Sequence, residues 1–330
     1  SGFVNAILRS VIREQDSIGV EDLASNDIEV ISFIYNIPLW LIDLWMGEFG
    51  RDKTEDLCAW FNEQPKLTAR INTILIDIPQ CLTMLNEQGW AVTQDSNYED
   101  IIYINSHRGS LEKSEAFIKG YITFMDKASM LVARLVNPQP GERILDCCAA
   151  PGGKSMYMAT LMNNVGSLMS CDIHEHKIEL MNSNADRLGA SIVHTKVQDA
   201  TKLPDSWNSY FDRVLVDAPC SGLGILQKKL DMRWRKQESI LSELPPLQLA
   251  ILERAAMTVK EKGYLIYSTC TLNYKENEGV VESFLQKHKE FSIIPVADDF
   301  PLKSNSGMIT TYPPTDDMDG FFMVKMQRIS

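Results

Sequence analysis

The sequence predicts an α/β fold: a Rossmann-like, doubly wound sheet in its second half, preceded by a helical segment and a small α+β unit. Three observations predict it. Apolar strands and helical stretches alternate from Glu142 onward, a glycine-rich turn follows the first of those strands, and chemistry-bearing polar residues recur at successive strand ends. At 330 residues there is room for two or three domains and a sizeable core. A content of 45% hydrophobic and 23% charged residues fits a soluble globular protein rather than a disordered one.

Residues 1–60 read as helical. Phe3, Ile7, Leu8, Val11 and Ile12 recur at helical spacing, followed by apolar stretches at Ile31–Tyr35 and Leu39–Met46, with Pro38 starting a helix. Leu67–Thr73 is strand-like, a helix follows from Pro79 to Gln88, and Ile101–Ile104 is a short apolar strand. Five further strands are expected at Arg143–Cys147, Ser167–Cys171, Ile192–Val197, Arg213–Val216 and Tyr264–Ser268, separated by helices such as Ser155–Met162 and Lys177–Leu188. Ligands of such folds sit beyond the carboxyl ends of the strands.

Composition excludes several classes. No run of about 18 apolar residues marks a transmembrane helix. The start, Ser1-Gly2-Phe3-Val4-Asn5, lacks an initiator Met and the plan of a signal peptide, and reads as a fragment boundary. Seven cysteines without a CxxC pair imply reduced thiols and a cytoplasmic setting rather than a disulfide scaffold. No Cys/His ligand spacing suggests zinc, and His174 and His176 read as a solvated helix start. A net charge of −12 argues against nonspecific coating of nucleic acid, though not against a local basic groove. A monomer without metal or membrane partner is expected.

The first strand of the alternating region leads into Cys148-Ala149-Ala150-Pro151-Gly152-Gly153-Lys154-Ser155. Small residues admit a ligand to the backbone, and the helix that follows offers free N–H groups. The turn is neither GxGxxG nor a complete P-loop, which disfavours a nicotinamide cofactor. Asp172 ends the second strand, where a carboxylate can hold ribose hydroxyls, and Asp199 follows the third, where it can take an adenine amino group. In order, these favour an adenosine-containing ligand such as S-adenosylmethionine.

The fourth strand ends Val216-Asp217-Ala218-Pro219-Cys220-Ser221, and the fifth ends Ser268-Thr269-Cys270-Thr271. If the strands are neighbours, both thiols emerge at one edge beside the cofactor. Carbon 5 of cytosine is a poor nucleophile, but a thiolate added at carbon 6 makes it competent to attack an electrophilic methyl. Asp217 can hydrogen-bond the base, a second thiol can serve the release of product, and Lys154 can hold or polarise the base or depress a thiol pKa. Asp-Ala-Pro-Cys after the fourth strand also differs from the Asp/Asn-Pro-Pro-aromatic of amino-group methyltransferases. Spacing alone leaves the two thiols interchangeable.

Leu145–Lys154, Asp217-Ala218-Pro219-Cys220-Ser221, Ser268-Thr269-Cys270-Thr271 and Asp319-Gly320-Phe321-Phe322 together resemble the RNA cytosine-5 methyltransferases of the bacterial RsmB (Fmu/Sun) type, within the NOL1/NOP2/Sun family. The resemblance implies that Cys270 is the nucleophile and Cys220 assists release. It implies donor binding by Cys148–Lys154, Asp172, Asp199 and Asp217, and small-subunit ribosomal RNA as substrate. It also implies residues 1–60 as the remnant of a NusB-like domain plus linker, 61–130 as a small RRM-like domain, and 131–330 as the catalytic domain. Cys147 stands where the family has an aliphatic residue and is expected to pack under the sheet. Phe124-Met125-Asp126-Lys127-Ala128 is a looser form of the family's Gln-Asp-Ala-Ser segment.

Lys228, Lys229, Arg233, Trp234 and Arg235 follow Cys220 and are expected to bind RNA, cations on phosphates and the indole on a base. Two other functions remain: transfer RNA as substrate, which shares every catalytic motif, or a ribosome-assembly protein with an inactive fold. Retention of both thiols opposes the second.

Overall fold

The structure, a computed structural model, describes residues 2–14 and 27–329, so residues 15–26 of the predicted helical segment lie outside the described residues. The chain divides into two compact units. The first comprises the residues up to Glu63 together with Lys229–Glu238. Its helices are α1 (Gly2–Glu14), α2 (Asp27–Tyr35), α3 (Leu39–Phe49), α4 (Arg51–Asn62) and the short α10 (Met232–Arg235). Pro38 immediately precedes α3 with φ −56°, as expected of a proline at a helix start. Leu41, Ile42, Trp45, Leu57 and Phe61 are buried together, with Trp45 stacked on Phe61 at 5.5 Å.

The second unit contains two sheets. The smaller is antiparallel, in the order β2-β3-β1-β4, from β1 (Thr68–Ile71), β2 (Ala91–Gln94), β3 (Ile101–Ser106) and β4 (Ile122–Phe124). With it go α5 (Ile78–Glu87) and α6 (Glu115–Ile118). Asp77 caps α5 by accepting from the Gln80 N–H at 2.9 Å, which starts the helix one residue before Pro79.

The larger sheet has the order β10-β12-β9-β8-β5-β6-β7, with β11 paired to β12. After α7 (Lys127–Val136) come β5 (Arg143–Asp146), α8 (Gly153–Leu161), β6 (Ser167–Asp172), α9 (Glu175–Leu188), β7 (Val193–Val197) and β8 (Phe211–Asp217). The chain continues through α11 (Ile240–Thr258), β9 (Val259–Thr269), α12 (Glu278–Lys287), β10 (Phe291–Ile293), β11 (Met308–Thr310), α13 (Pro313–Asp316) and β12 (Phe322–Arg328). All five expected strands are present, and β7-β6-β5-β8-β9 run parallel. β10, β11 and β12, which the sequence reading did not anticipate, form an antiparallel edge beside β9.

Both faces of the large sheet are covered, which is why its strands read as unbroken apolar runs. Ile144, Leu215 and Ile266 point into the core on one side, shared with Tyr157 of α8. Leu145, Val214, Val216, Leu265 and Tyr267 point into the other, shared with Leu252 of α11 and Phe284 of α12. Each fully buried side chain of this size contributes about 1.5–3 kcal/mol. Cys147 lies in the second core, under the sheet. The strand order reverses between β5 and β8, opening a crevice at their carboxyl ends.

Candidate active site

Two turns meet at that crevice. After β5 the chain reaches Gly152, whose φ of 98° is unstrained only for glycine, and α8 begins at Gly153. Lys154, in the first turn of α8, extends to Asp217 at the end of β8, with Nζ 2.6 Å from Oδ2. Its ammonium also lies 5.2 Å from the centre of the Phe321 ring. The other oxygen of Asp217 accepts from Ser268 Oγ at 2.8 Å, because β8 and β9 pair Asp217 with Ser268.

The same pairing brings the thiols together. Cys220 Sγ and Cys270 Sγ are 3.2 Å apart, and the Cys270 N–H donates to Cys220 Sγ at 3.3 Å. The hydrogen bond with Cys270, reinforced by burial, pushes the Cys220 thiol well up. Burial likewise raises the thiols of Cys58, Cys81, Cys147, Cys148 and Cys171. Lys154 would be lowered by its burial, but Asp217, with Cys270 and Asp146, more than offsets this and keeps it charged. A fixed ammonium therefore stands in the field of Cys270.

A buried carboxylate that the sequence did not single out holds the two thiol loops. Glu276 accepts from Ser221 N at 2.8 Å, Ser221 Oγ at 2.5 Å, Gln248 Nε2 at 2.9 Å and Asn273 Nδ2 at 3.0 Å. Gln248 also donates to Pro219 O at 3.0 Å, and Gly224 N donates to Cys270 O at 3.0 Å. No motif marks Glu276 because its partners are spread over Ser221, Gln248 and Asn273. Asp146, fully buried below the glycine turn, accepts from Ser155 Oγ at 2.6 Å, and Ser155 accepts from Ser170 at 2.8 Å. Burial raises Asp146 to about 7.

The predicted donor-binding positions line the same edge. Asp172 ends β6, with one oxygen taking the His174 N–H at 3.0 Å and the other 3.5 Å from Lys177, so it retains capacity to accept from ribose hydroxyls. Asp199 accepts at Oδ1 from Thr201 N and Oγ1 at 2.9 and 2.7 Å, so Oδ2, 3.8 Å from Lys202, retains capacity to accept a further hydrogen bond. Carboxylates with free acceptor capacity after β6 and β7, with the small turn Cys148-Ala149-Ala150-Pro151-Gly152-Gly153 after neighbouring β5, could hold an adenosyl group.

The expected RNA contacts require correction at two positions. Lys228 is held by Asp126 and by Asp319, the latter at 2.9 Å, so its charge is already neutralised. Arg233 is 4% exposed and donates to Phe61 O and, at 2.7 Å, to Asn62 Oδ1; it is a buried tie within the helical unit. Lys229 and Trp234 are exposed, while Arg235 is exposed and paired with Asp231 at 3.3 Å.

Comparison with known proteins follows the same lines. Residues 133–327 match the family model described as 16S rRNA methyltransferase RsmB/F, and residues 37–109 match the ferredoxin-like domain of RsmF/B-like methyltransferases. The chain belongs to the RsmB/F family of 16S rRNA methyltransferases. It is 36% identical to the probable ribosomal RNA small subunit methyltransferase B of Bacillus subtilis, over 99% of this chain and 74% of that protein. The ribosomal RNA small subunit methyltransferase B of Serratia proteamaculans is 28% identical over 98% of this chain and 72% of its own. Among solved structures, PH0851 superimposes with a TM-score of 0.86 at 32% identity, covering 92% of this chain and 68% of that one. NSun6 from Pyrococcus horikoshii, solved with the ligand SFG, has a TM-score of 0.81 at 22% identity, covering 89% and 98%, and shares the fold. As an RsmB/F enzyme the protein is an rRNA methyltransferase whose methyl donor is S-adenosylmethionine.

Proposed function

We propose that this RsmB/F protein methylates carbon 5 of a cytosine in small-subunit ribosomal RNA, through a covalent bond between Cys270 Sγ and carbon 6 of the base. The observation that carries the reading is the pair of thiols 3.2 Å apart beside the Lys154–Asp217 ion pair. Bound S-adenosylmethionine supplies an electrophilic methyl group, held by Cys148–Lys154, Asp172, Asp199 and Asp217.

The thiolate of Cys270 adds to carbon 6, and the electron pair displaced from the ring double bond reaches carbon 5. Lys154, kept charged by Asp217, stabilises the negative charge that develops on the base, and Asp217 orients it. Carbon 5 would take the methyl as the donor's sulfur–methyl bond breaks and the donor leaves as a neutral thioether, and carbon 5 would still carry its proton. Cys220 is the base that removes this proton, after which the carbon–sulfur bond breaks and Cys270 leaves as thiolate. The contact between the thiols supports their acting together. Cys220 is raised first by its hydrogen bond to Cys270. Once Cys270 is bonded to carbon, the thiol–thiol hydrogen bond that is the principal cause of that raising is lost, and Cys220 can lose its proton to solvent and act as base.

The target base must leave its stack to reach a half-buried thiol. Lys229, Trp234 and Arg235 remain the candidates for RNA contact outside the reacting pair. Residues 1–60, 61–130 and 131–330 are read as a helical segment from a NusB-like domain, an RRM-like domain and the catalytic domain of a monomeric cytoplasmic enzyme. The free thiols suit that compartment.

The test replaces each thiol. Cys270→Ala should abolish turnover, and Cys220→Ala should accumulate an RNA–protein adduct that survives denaturing electrophoresis. An adduct that requires Cys220 and forms without Cys270 would reverse the roles. Bisulfite mapping of 16S rRNA with and without the protein tests the substrate, and no cytosine losing its mark would refute it.

A further inference from the structure

A cavity of about 470 Å³ lies at the end of the large sheet opposite the thiols. β5–β9 run parallel and the thiols follow their carboxyl ends, whereas the cavity is lined by Pro138–Pro140 before β5 and by Tyr264, midway along β9 and paired with Arg213 near the start of β8. The stretch from Tyr264 to Thr269 spans about 16 Å at the rise of a strand. Nothing in the methyl transfer uses this place.

Two cations on its wall are incompletely satisfied: Lys325 has no carboxylate partner, and Arg134 keeps one donor unpaired. Lys325, on β12, has its ammonium 4.5 Å from the centre of the Tyr264 ring and 3.4 Å from Val136 O, an unusually long hydrogen bond. Among the described residues no carboxylate forms an ion pair with it. Glu142, the acid in its neighbourhood, is engaged by Arg213 through contacts of 2.6 and 3.0 Å. Burial and the Arg213 charge push Lys325 down to about 8, with Glu142 opposing only in part. The second cation is Arg134, stacked 3.9 Å from the centre of the Tyr98 ring and paired through Nη2 with Asp100. Its Nε is buried without a partner. Asp299, the one carboxylate on the lining, is exposed. A cavity whose wall carries a lysine without a carboxylate partner, a partly satisfied arginine and aromatic rings is complementary to an anion that carries a flat or sugar-like body. Its volume falls within the usual range for small-molecule sites, about 300–1,000 Å³.

We propose that this cavity is a second ligand site, which binds a phosphate ester of mononucleotide size through Lys325 and Arg134. Such a phosphate comes from a free ester or from the end of an RNA strand. The chemistry at the wall is the same for both.

The experiment follows acetylation of Lys325 at pH 8 by mass spectrometry in the wild-type protein. Uridine 5′-monophosphate should slow acetylation of Lys325 severalfold, with uridine at the same concentration having no effect. In titrations, Lys325→Met should weaken uridine 5′-monophosphate binding by about tenfold or more, as loss of one charge-assisted bond requires. S-adenosylmethionine binding should be unchanged, which verifies the fold. A trinucleotide of RNA with a 5′-phosphate, compared with its unphosphorylated form, separates the sources. Protection by the phosphorylated trinucleotide assigns the site to an RNA end, and protection by the mononucleotide alone assigns it to a free ester. No protection by either, or protection by uridine equal to that by its phosphate, overturns the proposal.

Discussion

Glu276 illustrates how much of the site depends on a residue that performs no chemistry. Cys220 and Cys270 stand on loops from different strands, and 3.2 Å between two sulfurs requires that neither loop drift. Glu276 supplies the common anchor, with four donors converging on one buried carboxylate. Glu276→Gln puts an NH₂ group where an oxygen received hydrogen bonds, which leaves at least one buried donor facing another at a cost of about 1–3 kcal/mol. The expected result is a kcat lowered by about tenfold or more, with the dissociation constant of S-adenosylmethionine unchanged. Wild-type kcat in this variant would show that the thiol loops hold their spacing without it. The candidate reactive residues were legible in the sequence because each stands at or just beyond a strand end: Lys154 after two glycines, Asp217 closing its strand, Cys220 after a proline and Cys270 between two threonines. Glu276 was not, and neither were the partners of Lys228 and Arg233. A cation in a basic run looks free until its acid is located, and Asp126 is 102 positions from Lys228 while Asn62 is 171 from Arg233.

At the scale of elements, the loop after Cys220 is fastened to the segment before β12 by two glycines. Gly320 N donates to Gly224 O at 2.8 Å, and a Cβ on Gly224 would lie 1.9 Å from Gly320 O, closer than any non-bonded contact. This approach sets Phe321 over Lys154 and keeps Gly224 on Cys270 O. Gly224→Ala must part the loops, so methyl transfer should fall about tenfold or more while the melting temperature drops by several degrees. A Gly224→Ala enzyme with unaltered activity would mean that the loops separate without disturbing the thiols. The contact joins residues 96 positions apart, so the sequence shows two glycines and no reason for them. Strand legibility follows the same logic. β5, β6, β8 and β9 sit in the middle of a sheet covered on both faces and announce themselves as apolar runs. β4, β10 and β11 have three residues each, too few for periodicity. β12 carries Lys325, Gln327 and Arg328, which conceal a strand whose other side is core.

Over the whole molecule, acidic groups oppose one another in their effect on stability. Burial would raise Asp95 and Asp212, but Lys127 and Lys260 more than offset it and hold both carboxyls below their ordinary range. Their contribution is present above about pH 4 and is lost as the pH falls through their folded values. Asp146 and Asp319 act the other way. Burial raises both to about 7, reinforced at Asp319 by Asp126 and opposed by Lys228. An unfolded chain releases those protons near pH 4, whereas the folded chain keeps them until about pH 7. Between those limits the native state binds more protons than the unfolded state, so their contribution to stability declines as pH rises and is spent above pH 7. The fold is therefore expected to be most stable on the acid side of neutrality. Asp146→Asn removes one of these titrations and keeps an oxygen to accept from Ser155. Its melting temperature relative to wild type should increase from pH 5 to pH 8 by a few degrees or more, measured by calorimetry at constant ionic strength. A difference that stays constant over that interval would mean that Asp146 does not change its protonation between pH 5 and pH 8, and that burial and the opposing Lys154 charge balance differently beneath the glycine turn.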